Sequence, residues 1–169
     1  MAWTTPKTWT NVLSSAADFN EQIRDNLLAL KQPPTAHYEA NESSDYNTFS
    51  TTYANIDSDW SFTVTTHGGD VLIGLAAVAS TIGAFALLDV VVDGTRIANN
   101  TSGGIRRIEL SSGGNVSFLR WIRGLSAGSH TFTLQWKHSS GGVNSATMRA
   151  GSGLAAQDVH PRFWVREVS

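Results

Sequence analysis

The residues in this chain with the means to do chemistry are five histidines, a close pair of aspartates and an arginine cluster that includes a tryptophan. His67-Gly68-Gly69-Asp70 has the look of a glycine-rich loop that lends backbone amides to an oxyanion, but the G-x-S-x-G elbow that would hold its nucleophile is missing. A hairpin turn accounts for those four residues. His37, His67, His130, His138 and His160 form no i,i+4 helical pair and sit near no acidic cluster at ligand spacing. His130 and His138 share a strand face by parity, yet the extended chain between them spans about 26 Å, too far for one metal. Asp89 and Asp93 also share a side by parity, but lie about 13 Å apart, beyond the carboxylate separation of either glycosidase class. Asp93-Gly94 therefore reads as a turn. Arg106, Arg107, Arg120 and Arg123, with Trp121 among them, suit a sugar or a phosphate; solvated strand faces are the ordinary explanation. No phosphate loop or dinucleotide fingerprint is present. The expectation is a chain that is not an enzyme, with no catalytic residue, cofactor or metal.

The elements that carry these residues are short apolar or alternating runs separated by glycine pairs, the pattern of an all-β sandwich. Strands are predicted at 49–56, 60–66, 71–79, 84–93, 105–110, 116–124, 130–138, 144–149 and 162–168, a number that fits a jelly roll. Alternation is clearest where Trp60, Phe62 and Val64 oppose Ser61, Thr63 and Thr65, and where Phe132, Leu134 and Trp136 oppose Thr131, Thr133 and Gln135. Gly68-Gly69, Asp93-Gly94, Gly103-Gly104, Gly113-Gly114 and Gly141-Gly142 supply the turns between strands. Trp60, Trp121, Trp136 and Trp164 fall in strands and are expected to serve the core or a subunit seam.

The uncharged stretch from Val71 to Leu88 approaches the length of a membrane span. Gly74, the Ser80-Thr81 pair, Gly83 and non-basic flanks favour two buried strands joined near Ser80 to Gly83, with no membrane insertion. Residues 71–79 and 84–92 are apolar on both faces, so each strand needs a second cover beyond its own core. A sister copy is the simplest cover. Leu72, Gly74, Ala76 and Val78, joined by Phe163 and Trp164 of the last strand, are the expected interface between copies.

Ahead of the sandwich, Trp3, Pro6 and Trp9 punctuate a threonine-rich arm with little helical tendency. Ser15 and Asp18 then make a capping box for one amphipathic helix, with Phe19, Ile23, Leu27 and Leu30 on its packing face. Pro33-Pro34 ends that helix. The organisation reads as arm and helix over residues 1–34, a polar linker over 35–48 and the β-sandwich over 49–169. The chain has 169 residues, a net charge of −2 and charged residues at 15%, which gives no basic surface for nucleic acid. With no cysteine, disulfides and thiolate zinc sites are excluded. No basic-then-apolar secretion signal opens the chain.

W-T-T-P-K-T-W followed by A-A-D-F-N-E-Q-I-R-D-N-L-L-A-L-K resembles a leader found on bacteriophage and prophage virion proteins. The closest correspondence is at Asn20, Arg24, Asp25, Asn26 and Leu27. That resemblance implies virion anchoring through Trp3, Pro6, Trp9, Arg24, Asp25 and Asn26. The remainder is similar, more loosely, to the trimeric C1q and tumour-necrosis-factor jelly roll, through Phe49, Tyr53, the Gly128 to Trp136 run and the closing Arg-Phe-Trp-Val-Arg-Glu-Val. The implied protein is a homotrimeric fibre, spike or capsid decoration, assembled in the host cytoplasm and bound to other capsid or tail proteins. The alternative is a receptor- or carbohydrate-binding module reading host cell-surface glycan with loops 99–104 and 139–142.

Overall fold

The computed structural model describes residues 15–27, 32–41, 44–98, 102–151 and 159–168. Trp3, Pro6, Trp9 and Leu30 lie outside them. The described residues are mainly β, built on two antiparallel sheets of six strands each. The first contains β1 (Thr35–Glu39), β2 (Tyr46–Thr48), β5 (Gly69–Ile82), β9 (Gly114–Leu125), β11 (Ser145–Met148) and β12 (Arg162–Glu167). The second contains β3 (Ala54–Asn55), β4 (Ser61–Thr66), β6 (Ala86–Val92), β7 (Thr95–Arg96), β8 (Arg106–Ile108) and β10 (Gly128–His138).

β5 is the axis of the first sheet. Ala79 pairs with both Gly114 and Met148, so β9 runs along one edge of β5 while β12 and β11 share the other edge end to end. β10 is the axis of the second, with β6 on one side and β4 and β3 on the other. The sheets face each other through the side chains that strand alternation turns inward. Ile73, Leu75 and Phe163 from the first meet Phe132, Leu134 and Trp136 from the second, all at most 2% exposed. Phe62 and Phe163 touch across the gap with ring centroids 5.1 Å apart. Trp60 is enclosed edge-on by Tyr38 and Tyr46, at 5.3 and 5.6 Å. Burial of each such side chain is worth roughly 1.5–3 kcal/mol.

Three expectations are corrected here. Residues 35–48, expected as linker, contribute β1 and β2, because Ala36, Tyr38 and Tyr46 pack on the core while their polar neighbours face out. The sandwich thus begins at Thr35. Phe49 to Tyr53 is a connection, with only Ala54–Asn55 paired. β5, expected to end at Ala79, runs on through Ser80 and Thr81 to Ile82, since Thr81 is held at Leu110 and pairs with Ala146, and the turn falls at Gly83, the far end of the expected join. The uncharged stretch from Val71 to Leu88 is most of β5, this turn and the start of β6.

The capping box forms as the sequence predicts: Asp18 N donates to Ser15 Oγ at 3.1 Å and Ser15 N donates to Asp18 Oδ2 at 3.0 Å. Ala16–Phe19 is α-helical, and the chain then widens into a π-helical stretch over Asn20–Asp25. Arg24 and Asp25 of the leader motif fall within that wide turn. Asn26 follows it, 7% exposed, with its amide on Gln22 O. Ile23 and Leu27 of the expected packing face are 47% and 60% exposed, and Phe19 is 55% exposed.

Candidate functional site

The two outer faces of the sandwich differ in chemistry. On the second sheet, polar side chains pair across strands: Ser61 with Thr133 at 2.7 Å, Thr63 with Thr131 at 3.1 Å, Gln135 with Asn55 at 2.9 Å. Water satisfies such a surface. Among the described residues the deeply buried charge on this side is Asp89, 0% exposed, which accepts from Arg96 at 2.7 Å and from the amides of Val90 and Ala98 at 2.8 and 3.3 Å. Arg96 also donates to Gly103 O, and its guanidinium carbon sits 3.5 Å from the Tyr53 ring centre. Tyr53 Oη donates to the same carbonyl at 2.7 Å. Burial pushes the Tyr53 phenol up to about 12, against Arg96, whose charge pulls it down. The segment after Asp93 is thereby strapped over β6. The second cover that β6 was expected to find in a sister copy is supplied by the chain itself.

On the first sheet the outward residues include an apolar strip of Leu72, Leu119, Trp121 and Trp164, edged by Ser117, Arg162 and Arg166. Register places Leu72 between Trp121 and Arg166, Gly74 between Leu119 and Trp164, and Ala76 between Ser117 and Arg162. Trp121 is 54% exposed and Leu119 67%. A methyl group at Gly74 would overlap the Cε2 and Cζ2 atoms of Trp164, so the indole lies against the β5 backbone at a position without a side chain. Beyond it is a depression of about 430 Å³ whose lining includes Ala76, Val78, Asn115, Ser117 and His160. The structure therefore brings together five of the six residues predicted for a subunit seam: Leu72, Gly74, Ala76, Val78 and Trp164. Phe163 is corrected to the core, since it pairs with inward-facing Leu75 and is 0% exposed. Adjacent strand residues point to opposite faces, so Phe163 and Trp164 cannot serve one surface.

The side chains singled out for chemistry are dispersed. Arg106 and Arg107 lie on the second sheet, Arg120 and Arg123 on the first. Arg107 is paired with Glu109 at 2.9 Å and covers the Phe85 ring. Asp93 stands in a turn at φ 50, followed by Gly94 at φ 82, and bonds His130 Nδ1 at 2.6 Å and Thr131 N at 2.8 Å. The hydrogen bond to Asp93 raises the His130 pKa, and the same bond lowers that of Asp93. His67 N donates to Glu167 Oε1 at 2.9 Å, a brace between strand ends. Among the described residues no three His, Asp or Glu side chains group to hold a metal. Among the described residues, Trp60 Nε1 and His138 Nε2 are buried and meet no hydrogen-bond partner. Of the loops considered for glycan, Ser139 to Gly142 is described and residues 99–101 are outside the described residues.

Sequence reasoning left Trp121 between the core and a subunit seam and did not single out Leu119; the structure exposes both on the outer face of the first sheet. The signal was available: both have the same odd-numbered parity in β9, opposite to core residues Val116 and Phe118.

No protein family profile and no curated protein matches the chain. Among solved structures, the chain is similar to that of the infectious bursal disease virus Gx strain, at 12% identity and TM-score 0.39, over 80% of this chain and 36% of that one. Dimeric latent PorU from Porphyromonas gingivalis is similar at 10% identity and TM-score 0.39, over 80% of this chain and 13% of that one. A mutant VP2 protein of infectious bursal disease virus, in derived T=1 particles, is similar at 11% identity and TM-score 0.39, over 81% and 36%.

Proposed function

We propose that this chain is a structural protein of a bacteriophage virion, a homotrimer that displays a jelly-roll sandwich and attaches to the particle through its N-terminal arm and helix. The observation that carries the reading is the apolar strip on the outer face of the first sheet, where Leu72, Leu119, Trp121 and Trp164 stand together between Arg162, Arg166 and Ser117, while the opposite face is polar and strapped by its own chain. Exposed apolar surface grouped in this way marks a contact. The leader resemblance at Asn20, Arg24, Asp25, Asn26 and Leu27 supports a virion as the assembly. Trp3, Pro6 and Trp9 are the proposed anchors, with Arg24, Asp25 and Asn26 behind them. Fibre tip, spike and capsid decoration all fit a displayed sandwich.

Light scattering tests the trimer. The chain is expected to run at three times its monomer mass at micromolar concentration, and Trp121→Asp, on an exposed position, to run as a folded monomer. A stable wild-type monomer would refute the seam. Attachment is tested separately by particle incorporation: deletion of residues 1–14 is expected to abolish it, and intact incorporation would remove the arm from the proposal.

A further inference from the structure

Both nitrogens of the buried His130 ring face acceptors. Nδ1 lies 2.6 Å from Asp93 Oδ2, and Nε2 lies 2.9 Å from the carbonyl oxygen of Ser126. A carboxylate and a carbonyl have no proton to give, so both bonds form together only when the ring donates twice, and only the imidazolium carries two N–H groups. A neutral ring would set a nitrogen lone pair against one of the two oxygens. Asp93 stays an acceptor, because Thr131 N donates to its other oxygen at 2.8 Å and hydrogen bonds of this kind favour the ionised carboxylate.

The two acceptors belong to different turns. Asp93 lies between β6 and β7, and Ser126 between β9 and β10. Ser126 O also accepts from Thr66 Oγ1 at 2.9 Å, and a methyl group at Gly68 would stand 3.1 Å from Ala127 N, so the Ser126 turn leans on the turn between β4 and β5. His67 of that turn donates its backbone N–H to Glu167 Oε1, and Glu167 N donates to Pro34 O, where the N-terminal segment joins the sheet. The ring therefore ties two turns at the end of the sandwich from which that segment leaves. From β4 it meets Val64, its uncharged cross-strand partner, and the charged side chain bonded to it is Asp93. Elsewhere at this end the His67 ring is engaged with Glu167, Asp70 accepts from Gly124 N, and Arg123 is exposed.

We infer that His130 is a pH-sensitive clasp: as the imidazolium it fastens the Asp93 turn to the Ser126 turn, and on losing one proton it keeps the first and releases the second. The carboxylate is the stronger acceptor, so the remaining proton stays on Nδ1. Nε2 then turns a lone pair toward Ser126 O, and that turn is left to Thr66 alone. The bonded form is the protonated one. The clasp is therefore closed below the ordinary histidine value of 6.5 and opens as pH rises through the raised value of the folded chain. All of its parts belong to one chain, so it stands apart from the proposed trimer and from attachment to a particle.

Ring-nitrogen NMR of His130 in the full chain, followed together with the carbonyl-carbon shift of Ser126, reads the clasp. At pH 6.5 most molecules are expected to show both ring nitrogens protonated, and the Ser126 carbonyl is expected to shift with the same midpoint as the ring loses its proton. Asp93→Asn supplies the second arm, since asparagine adopts the positive φ of this position readily. Its side-chain amide puts a donor where the carboxylate accepted. A neutral ring protonated at Nε2 then satisfies both neighbours, so the ring midpoint should fall toward 6.5 and the Ser126 shift should no longer follow it. A wild-type ring with a single protonated nitrogen at pH 6.5, a Ser126 carbonyl that stays fixed while the ring titrates, or an Asp93→Asn chain that titrates as the wild type does would each overturn the clasp.

Discussion

Arg96→Met tests how the second sheet covers itself. The substitution keeps much of the aliphatic stem but removes the guanidinium that lies 2.7 Å from Asp89, bonds Gly103 O and stacks on Tyr53. Asp89 is 0% exposed and would retain the amides of Val90 and Ala98. Breaking a buried ion pair on one side costs about 3–5 kcal/mol. The Arg96 side chain is 21% exposed, which lets water reach the site and favours the lower figure. At about 3 kcal/mol, a chain of this length melts roughly 6–12 °C lower. Urea unfolding at pH 7 measures the loss directly, and the double substitution Asp89→Asn with Arg96→Met is expected to recover most of it, because no charge is then left unpaired. A loss below about 1 kcal/mol, the worth of a surface pair, would refute the strap, as would a double variant no more stable than the single one.

Phe163→Ala is expected to cost about 3–5 kcal/mol in urea unfolding through the core, and a near-neutral result would return Phe163 to a surface. Gly74→Ala must lift the Trp164 indole from β5, at about 1–3 kcal/mol; paired with Trp164→Ala it should cost less than the sum of the two, and strict additivity would contradict the contact. His130 has a raised pKa in the fold, so its contribution is complete below its ordinary value of 6.5 and is lost as pH rises through the folded value. Asp93 is lowered, so its share is present above its ordinary 3.8 and lost as pH falls through the folded value. The stability gap between wild type and His130→Gln should therefore be wider at pH 5.5 than at pH 8.5, and a gap that does not change with pH would refute the pair.

Much of the sandwich was legible in the residue pattern. Period-two alternation in β4 and β10 placed Val64, Trp136 and Phe132 inside, because side-chain direction in a strand is set by local geometry alone. The Ser15-Asp18 box and the Asp93-Gly94 turn were equally local, the turn because both of its residues adopt positive φ. β1 and β2 were not legible. Thr35–Glu39 carries only Ala36 and Tyr38 on its inner side, and its identity as a strand comes from β12, more than 120 residues further on.

The division between the two outer faces shows the limit most clearly. Sequence alone determined that β5 and β6 each carry apolar residues on both sides. It could not say what lies against them, because cover depends on which distant segment folds back. A buried Asp89 at the centre of β6, met by Arg96 seven residues later and by Tyr53 from another connection, closes that strand within one chain. The same physics leaves β5 beside Trp121 and Trp164, strands apart in sequence and neighbours only through register. Composition fixed how much apolar surface the chain must hide, and tertiary pairing decided which of it was left showing.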